Sequence, residues 1–264
     1  MQVKDQLHRT LVFQDVPKRI VSLVPSLTEL LCDLGLKKQL VGVTKFCVHP
    51  KTIREDTLIV GGTKQVHFDK IKALQPDIIL CNKEENTQDI VEQCSQIAPV
   101  HVSDIYTVTD CLALIKMYGS IFDVKKEAAA LVTSISNEQK SFQNFIVDKP
   151  VLKVGYFIWS SPWMVAGNHT FINYLLEQNN FKNVFVSSSR YPEICLNNEK
   201  LKAADVIMLS SEPYPFKKEH KETLEKQFPN TKVVLVDGEM FSWYGSRLKK
   251  AFPYFKCLHK NDLQ

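Results

Sequence analysis

Two distant stretches of this chain carry the same short pattern, and that repeat limits the folds open to it. Asp69-Lys-Ile-Lys-Ala73 leads into the apolar run Asp77-Ile-Ile-Leu80, and Glu199-Lys-Leu-Lys-Ala203 leads into Asp205-Val-Ile-Met-Leu209. Each copy reads acid, Lys, apolar, Lys, Ala, then Asp ahead of a buried-strand run. Other modules echo one another. Arg19-Ile-Val-Ser-Leu23 is a strand before a helix around Thr28–Leu34, and Val151–Ile158 is a strand before a helix around Phe171–Gln178. A plan used twice predicts two related lobes, and the cleft between such lobes is where a ligand is sought.

The length of 264 residues suits two domains of about 110–130 residues. From Ser120 to Lys149 there is no Gly or Pro, and Leu131, Ile135, Phe142 and Phe145/Ile146 recur at helical spacing until Pro150. That stretch predicts one long helix joining the lobes. The expected division is a first lobe at 1–119, a linking helix at 120–149 and a second lobe at 150–264. Strands are expected at Ile20–Leu23, Val41–Thr44, Ile78–Cys81 and Val100–Val102, then at Leu152–Ile158, Val184–Val186, Val206–Leu209 and Val233–Val236. Helices at Leu27–Leu34, Phe68–Leu74, Gln88–Ser95 and Val108–Tyr118 alternate with the first set. The fold class is therefore α/β: two Rossmann-like lobes with parallel sheets, joined by a long backbone helix. Sites in such sheets lie beyond the carboxyl ends of the strands.

The formal charge is +4, with Lys interspersed among Glu and Asp, which argues against a nucleic-acid surface. No apolar run approaches the roughly 20 residues of a membrane span. The first ten residues lack the apolar core of a secretory signal, so the residues alone lead to a cytoplasmic expectation. Seven cysteines occur with no CxxC pair, and Cys32, Cys81 and Cys94 sit in apolar patterns, which predicts reduced, buried thiols. No GxGxxG, GxxxxGK[ST], GxSxG or HExxH is present, and no two histidines share a ligand spacing on one helix. Ser26-Leu-Thr-Glu29 has the spacing of a capping box.

Aromatic residues gather after the expected strands. Lys45-Phe46-Cys-Val-His49-Pro50 follows one in the first lobe. In the second lobe, Trp159 and Trp163 follow one strand, Glu239, Trp243, Tyr244 and Arg247 follow another, and Arg190-Tyr191 precedes the second acidic repeat. Flat rings suit a large, flat ligand, since stacking adds about 0.5–1.5 kcal/mol per ring beyond area burial. An arginine such as Arg247 can pair a carboxylate or a phosphate in bidentate fashion. The alternative is that these rings seal each lobe.

Lys18-Arg-Ile-Val-Ser-Leu-Val-Pro-Ser-Leu-Thr-Glu-Leu-Leu31 (residues 18–31), Leu40–Thr44 with His49-Pro50, Gly61-Gly62 and Leu74-Gln-Pro-Asp-Ile-Ile-Leu80 together resemble the cobalamin- and iron-chelate-binding members of the helical-backbone solute-binding proteins of ABC transporters. The resemblance runs from residue 18 to about 255. It implies two α/β lobes on one long helix, a cobalamin, haem or iron–siderophore ligand held in the cleft with small lobe movement, and a periplasmic location. It puts Phe46 at the position of a ligand-facing aromatic, Tyr191 near another, and 239–247 in a site-closing loop. It also puts Asp69 and Glu199 at the acids that dock an ABC permease. Where the family carries a first-lobe tryptophan, Thr63 or Asn82 stands here.

The expected function is therefore non-catalytic binding of a metal chelate or tetrapyrrole. Phe46, Trp159, Trp163, Tyr191, Trp243 and Tyr244 would stack, Arg247 and Glu239 would complete the site, and His49 or His169 would approach the metal. A monomer with no intrinsic cofactor is expected. Competing readings are a cytosolic carrier or sensor of such a ligand, a two-lobed transferase or chelatase, and an adaptor that uses the paired acids.

Overall fold

A computed structural model describes residues 1–263. The chain forms two compact units: Met1–Ser136 together with Tyr244–Arg247, and Asn137–Trp243 together with the chain from Leu248 onward.

The first unit opens with an antiparallel hairpin, β1 (Gln2–Lys4) and β2 (Thr10–Val12), that the apolar pattern did not signal. Buried Asp5 fastens it, accepting from the N–H groups of Leu7 and Arg9 and pairing with the Arg9 guanidinium at 2.7 Å. Then follow β3 (Ile20–Ser22), α1 (Pro25–Asp33), β4 (Leu40–Val43), α2 (Ile53–Asp56), β5 (Leu58–Ile59), α3 (Phe68–Ala73), β6 (Ile78–Asn82), α4 (Gln88–Ser95), β7 (Val100–Ser103) and α5 (Val108–Ile121). The sheet order is β5-β4-β3-β6-β7, with every pair parallel. All residues of β3, β6 and β7 are buried, as expected for strands covered on both faces.

Helix α6 (Lys125–Ile146) has 22 residues and a length of about 33 Å, and the boundary between the units falls within it. It is shorter than the Gly- and Pro-free stretch predicts. The chain breaks after α5, where Asp123 takes a left-handed φ of 54° and the Val124 N–H bonds the Gly119 carbonyl at 2.9 Å.

The second unit contains β8 (Leu152–Ser160), β9 (Trp163–Val165), α7 (Phe171–Gln178), β10 (Phe181–Asn183), α8 (Glu199–Lys202), β11 (Val206–Ser210), α9 (Lys218–Gln227), β12 (Lys232–Val236), α10 (Gly238–Ser242) and α11 (Leu248–Asn261). Its sheet order is β10-β8-β11-β12, all parallel, with β9 antiparallel against β8. The strand expected at Val184–Val186 lies earlier, at β10. Asn183 ends it by accepting from the Phe185 N–H at 2.9 Å, which turns the chain away from the sheet.

The internal repeat has a structural role. Asp77 accepts from the N–H groups of Lys18 and Arg19 at 2.8 and 2.9 Å, and Asp205 accepts from the Lys153 N–H at 2.7 Å. Each repeat aspartate therefore ties the start of its own strand to the neighbouring central strand, β6 to β3 and β11 to β8. The Ser26–Glu29 capping box does not form. Val24 is the N-cap of α1, Pro25 opens the helix, and no side chain caps it.

Candidate functional site

In both sheets the chain reverses direction of growth beside its first parallel strand, between β3 and β6 and between β8 and β11. Ligands of open parallel sheets bind beyond the carboxyl ends at such points.

In the second unit this edge is aromatic. Trp159 lies within β8 itself, 38% exposed, with its indole N–H donating to the Ser161 carbonyl at 3.0 Å. The expected loop after this strand is instead the β8–β9 hairpin, with Ser160 paired to Trp163. Tyr214, just past β11, meets Trp159 edge-on at 5.4 Å. Phe216 stands 4.9 Å from Tyr214 and stacks on Trp163 at 6.0 Å, while Phe157 meets Trp163 edge-on at 5.6 Å. Trp163 therefore packs on this unit's own core, and Trp159 is the indole at the surface. Trp243 ends α10 and is buried at 8% exposure. Tyr191 is half-buried with the Arg190 guanidinium 5.7 Å from its ring, and Glu239 is half-buried in the first turn of α10. His169 is exposed in the turn before α7.

The first unit offers fewer surface rings. Phe46 follows β4 at 50% exposure and lies against Gly62, where an added Cβ would come 3.1 Å from the ring. The Lys45 ammonium stands 5.1 Å from the Phe46 ring centre. His49 is half-buried in the same loop. After β6 come Glu84 and Glu85, and burial, then the Glu84 charge, raise the Glu85 carboxyl above its ordinary value.

Tyr244 and Arg247 also belong to this unit, and they correct an expectation. Arg247 faces a protein carboxylate: its Nε donates to Glu29 Oε2 at 2.8 Å, with side-chain exposures of 5% and 6%. Tyr244 is buried, and its hydroxyl lies 3.3 Å from Ser103 Oγ. Burial raises its phenol above the ordinary tyrosine range and keeps it neutral. Gly245, at φ 91°, donates its N–H to Cys111 Sγ at 3.0 Å, and burial pushes that thiol up to about 12. Tyr244 to Arg247 thus form an internal anchor. Of the expected set, the structure leaves Phe46, Trp159 and Tyr191 at or near the surface and sinks Trp243, Tyr244 and Arg247.

Asp69 is exposed in the first turn of α3, and Glu199 is exposed in the first turn of α8, 2.7 Å from Lys202. Sequence reasoning missed Tyr214, Phe216 and His220, although Tyr214-Pro-Phe216 directly follows the second repeat strand and carried a readable signal. A groove of about 610 Å³ opens in the first unit among Phe13, Val16, Lys18, Asp77 and Pro99, at the amino ends of its strands and away from these residues. Among the described residues no cluster of three His, Cys, Asp or Glu side chains could hold a metal. Nor is any helix there long and apolar enough to cross a membrane. The cysteines are free thiols, with Cys47, Cys81, Cys94 and Cys111 buried.

Two parallel α/β units divide within one long helix, and aromatic residues gather at the strand ends of the second. The chain belongs to the periplasmic binding protein family, which matches residues 20–231. It is 29% identical over 190 residues to an uncharacterized ABC transporter substrate-binding lipoprotein of Bacillus subtilis, covering 69% of this chain and 60% of that protein. It is 22% identical over 237 residues to a vitamin B12-binding protein of Pectobacterium carotovorum, covering 88% of this chain and 85% of that protein. A periplasmic heme binding protein of Pseudomonas aeruginosa has the same fold, with a TM-score of 0.79, 21% identity and coverage of 91% and 92% of the two chains. These relatives are binding proteins, not enzymes.

Proposed function

We propose that this protein is the solute-binding component of an ABC transporter and takes a metal chelate or tetrapyrrole: a corrinoid, haem or an iron–siderophore complex. The observation that carries this is the exposed indole of Trp159 on the switch-point edge of β8, in a family of binding proteins. In the same unit half-buried Tyr191 adds a flat ring and half-buried Glu239 a polar group, and the first unit by itself offers exposed Phe46 and half-buried His49 after β4. The relatives named for vitamin B12 and haem support the ligand class.

The chelate arrives as cargo, and the protein needs no cofactor of its own. The family's description as periplasmic supports an action outside the cytoplasmic membrane. The exposed acids Asp69 and Glu199 would meet cationic groups of the permease. Titration of the purified protein with cyanocobalamin, haemin and ferrioxamine B, followed by tryptophan emission, tests the reading. Saturable quenching by at least one at about micromolar levels supports it, and silence towards all of them contradicts it.

A further inference from the structure

At the amino end of its sheet, away from the aromatic edge, the second unit carries a bare apolar turn among lysines. The turn joins α6 to β8. The Ile146 carbonyl accepts from the Lys149 N–H at 3.0 Å and from Asn180 Nδ2 at 2.8 Å, and the Leu152 N–H donates to the Asn180 carbonyl at 3.2 Å. Asn180 therefore fastens both ends of the turn. Between them Val147 and Val151 are 73% and 66% exposed, the barest large apolar side chains among the described residues.

Five lysines share this end of the unit. The Lys149 ammonium, in the turn, stands 5.1 Å from the centre of the Phe145 ring, and the Lys260 ammonium reaches the same ring at 5.6 Å. Lys256, one helical turn earlier in α11, donates to Ser141 Oγ at 2.7 Å. Lys153 and Lys182, both exposed, stand in register on β8 and β10. Among the described residues none of the five ammonium groups pairs with a carboxylate. Asp148 is the acid of the turn itself, while Asp205 accepts from the Lys153 N–H at 2.7 Å and Glu177 from Asn173 at 2.8 Å. The carbonyl ends of α6 and α11 favour Lys149 and Lys260 there. No such dipole accounts for Lys153 and Lys182, and like charges side by side in a sheet cost stability. An external anion relieves that cost.

The residue types select the anion. Protein interfaces favour Arg and are poor in Lys, and bidentate recognition of a single phosphate uses the guanidinium fork. Lysines spread around bare valines suit many phosphates above an apolar layer. We propose that this end of the second unit docks on an anionic phospholipid membrane, with the five lysines among the headgroups and Val147 and Val151 entering the interface. Trp159 lies about 20 Å along β8 from Lys153, so the docked unit keeps its aromatic edge clear of the bilayer. Docking of this kind needs no ligand and is independent of what that edge binds.

The test is sedimentation of the full chain with vesicles of phosphatidylcholine alone or mixed in equal parts with phosphatidylglycerol. Binding is expected to the mixed vesicles only, weakening as salt rises from about 0.1 to about 0.5 M. Lys149→Gln with Lys260→Gln should lower partitioning about tenfold or more, since each lysine near such a surface contributes about fivefold. Lys125→Gln with Lys126→Gln, an exposed pair at the other end of α6 and beyond a screening length, should change it by less than about twofold. Val147→Ser with Val151→Ser keeps every charge and should lower it about fivefold. Circular dichroism confirms that each variant is folded. Failure to bind the mixed vesicles overturns the proposal, and so do equal losses from the two lysine pairs. Unchanged binding in the valine variant also overturns it, because the surface then attracts anions without entering the membrane interface.

Discussion

After its first parallel strand the first unit buries a charge pair, and after its first parallel strand the second unit exposes an indole. The sheets follow one plan, and even the repeat aspartates do the same work in both. The difference lies in how the chain leaves the strand. Helix α1 begins directly beyond β3, which carries Glu29 inward to meet Arg247. Strand β8 runs on for nine residues and folds back as a hairpin, which holds Trp159 out at the rim. A charged side chain near an aromatic cluster is therefore no guide to a ligand. What decides its role is whether the fold brings a counter-charge to it.

That contrast makes the first unit's residues costly to change and the second unit's rim cheap. The largest effect is expected for Arg247→Met, which takes the guanidinium away from the buried Glu29 carboxylate and should cost about 3–5 kcal/mol of stability. Chemical denaturation measures it, and the double change with Glu29→Gln should recover part of the loss. A near-neutral Arg247→Met would remove the contrast.

Acid tests both units at once. Burial lowers His101 in β7 and His259 in α11 to about 4 each, with Lys149 adding to the effect at His259. The folded state resists protonation that the unfolded chain accepts near 6.5. The unfolded chain therefore binds more protons between about 6.5 and about 4, and stability falls as pH drops through that window. For fully buried His101 the loss is on the order of 3 kcal/mol. Denaturant midpoints across the window should fall less steeply in His101→Gln.

Smaller effects sharpen the other side of the comparison. Trp159→Ala should cost about 1 kcal/mol or less in stability but about tenfold or more in affinity for whichever chelate binds. Calorimetry reads both, and a large stability loss with unchanged affinity would make Trp159 a sealing residue. The smallest stability change, within about 0.5 kcal/mol, is expected for Asp69→Lys combined with Glu199→Lys. Ligand affinity should hold while uptake through the proposed permease falls.

Much of the fold was legible because parallel strands buried on both faces read as apolar runs. Helices α4 and α7 were placed at their observed limits, and Thr87 and Thr170 cap their starts. The β8–β9 hairpin was hidden because Trp159-Ser-Ser-Pro-Trp163 reads as loop chemistry rather than as strand. The capping-box spacing at Ser26–Glu29 was real, but Pro25 already opened the helix and a buried arginine claimed the glutamate. That arginine lies 218 positions away, beyond any local pattern. Tyr214 and Phe216 were readable as rings after a strand, whereas the tie from Tyr214 to His220, six residues on, is made by the fold and by no spacing rule.

The central claim is that ligand meets a carboxyl sheet edge, with the aromatic edge of the second unit as the primary contact. Hydrogen–deuterium exchange with and without saturating chelate tests it most directly. Protection is predicted at residues 44–47, 159–163, 190–192 and 213–216. Exchange unchanged there, with protection instead along residues 12–18 at the amino-end groove, would contradict it.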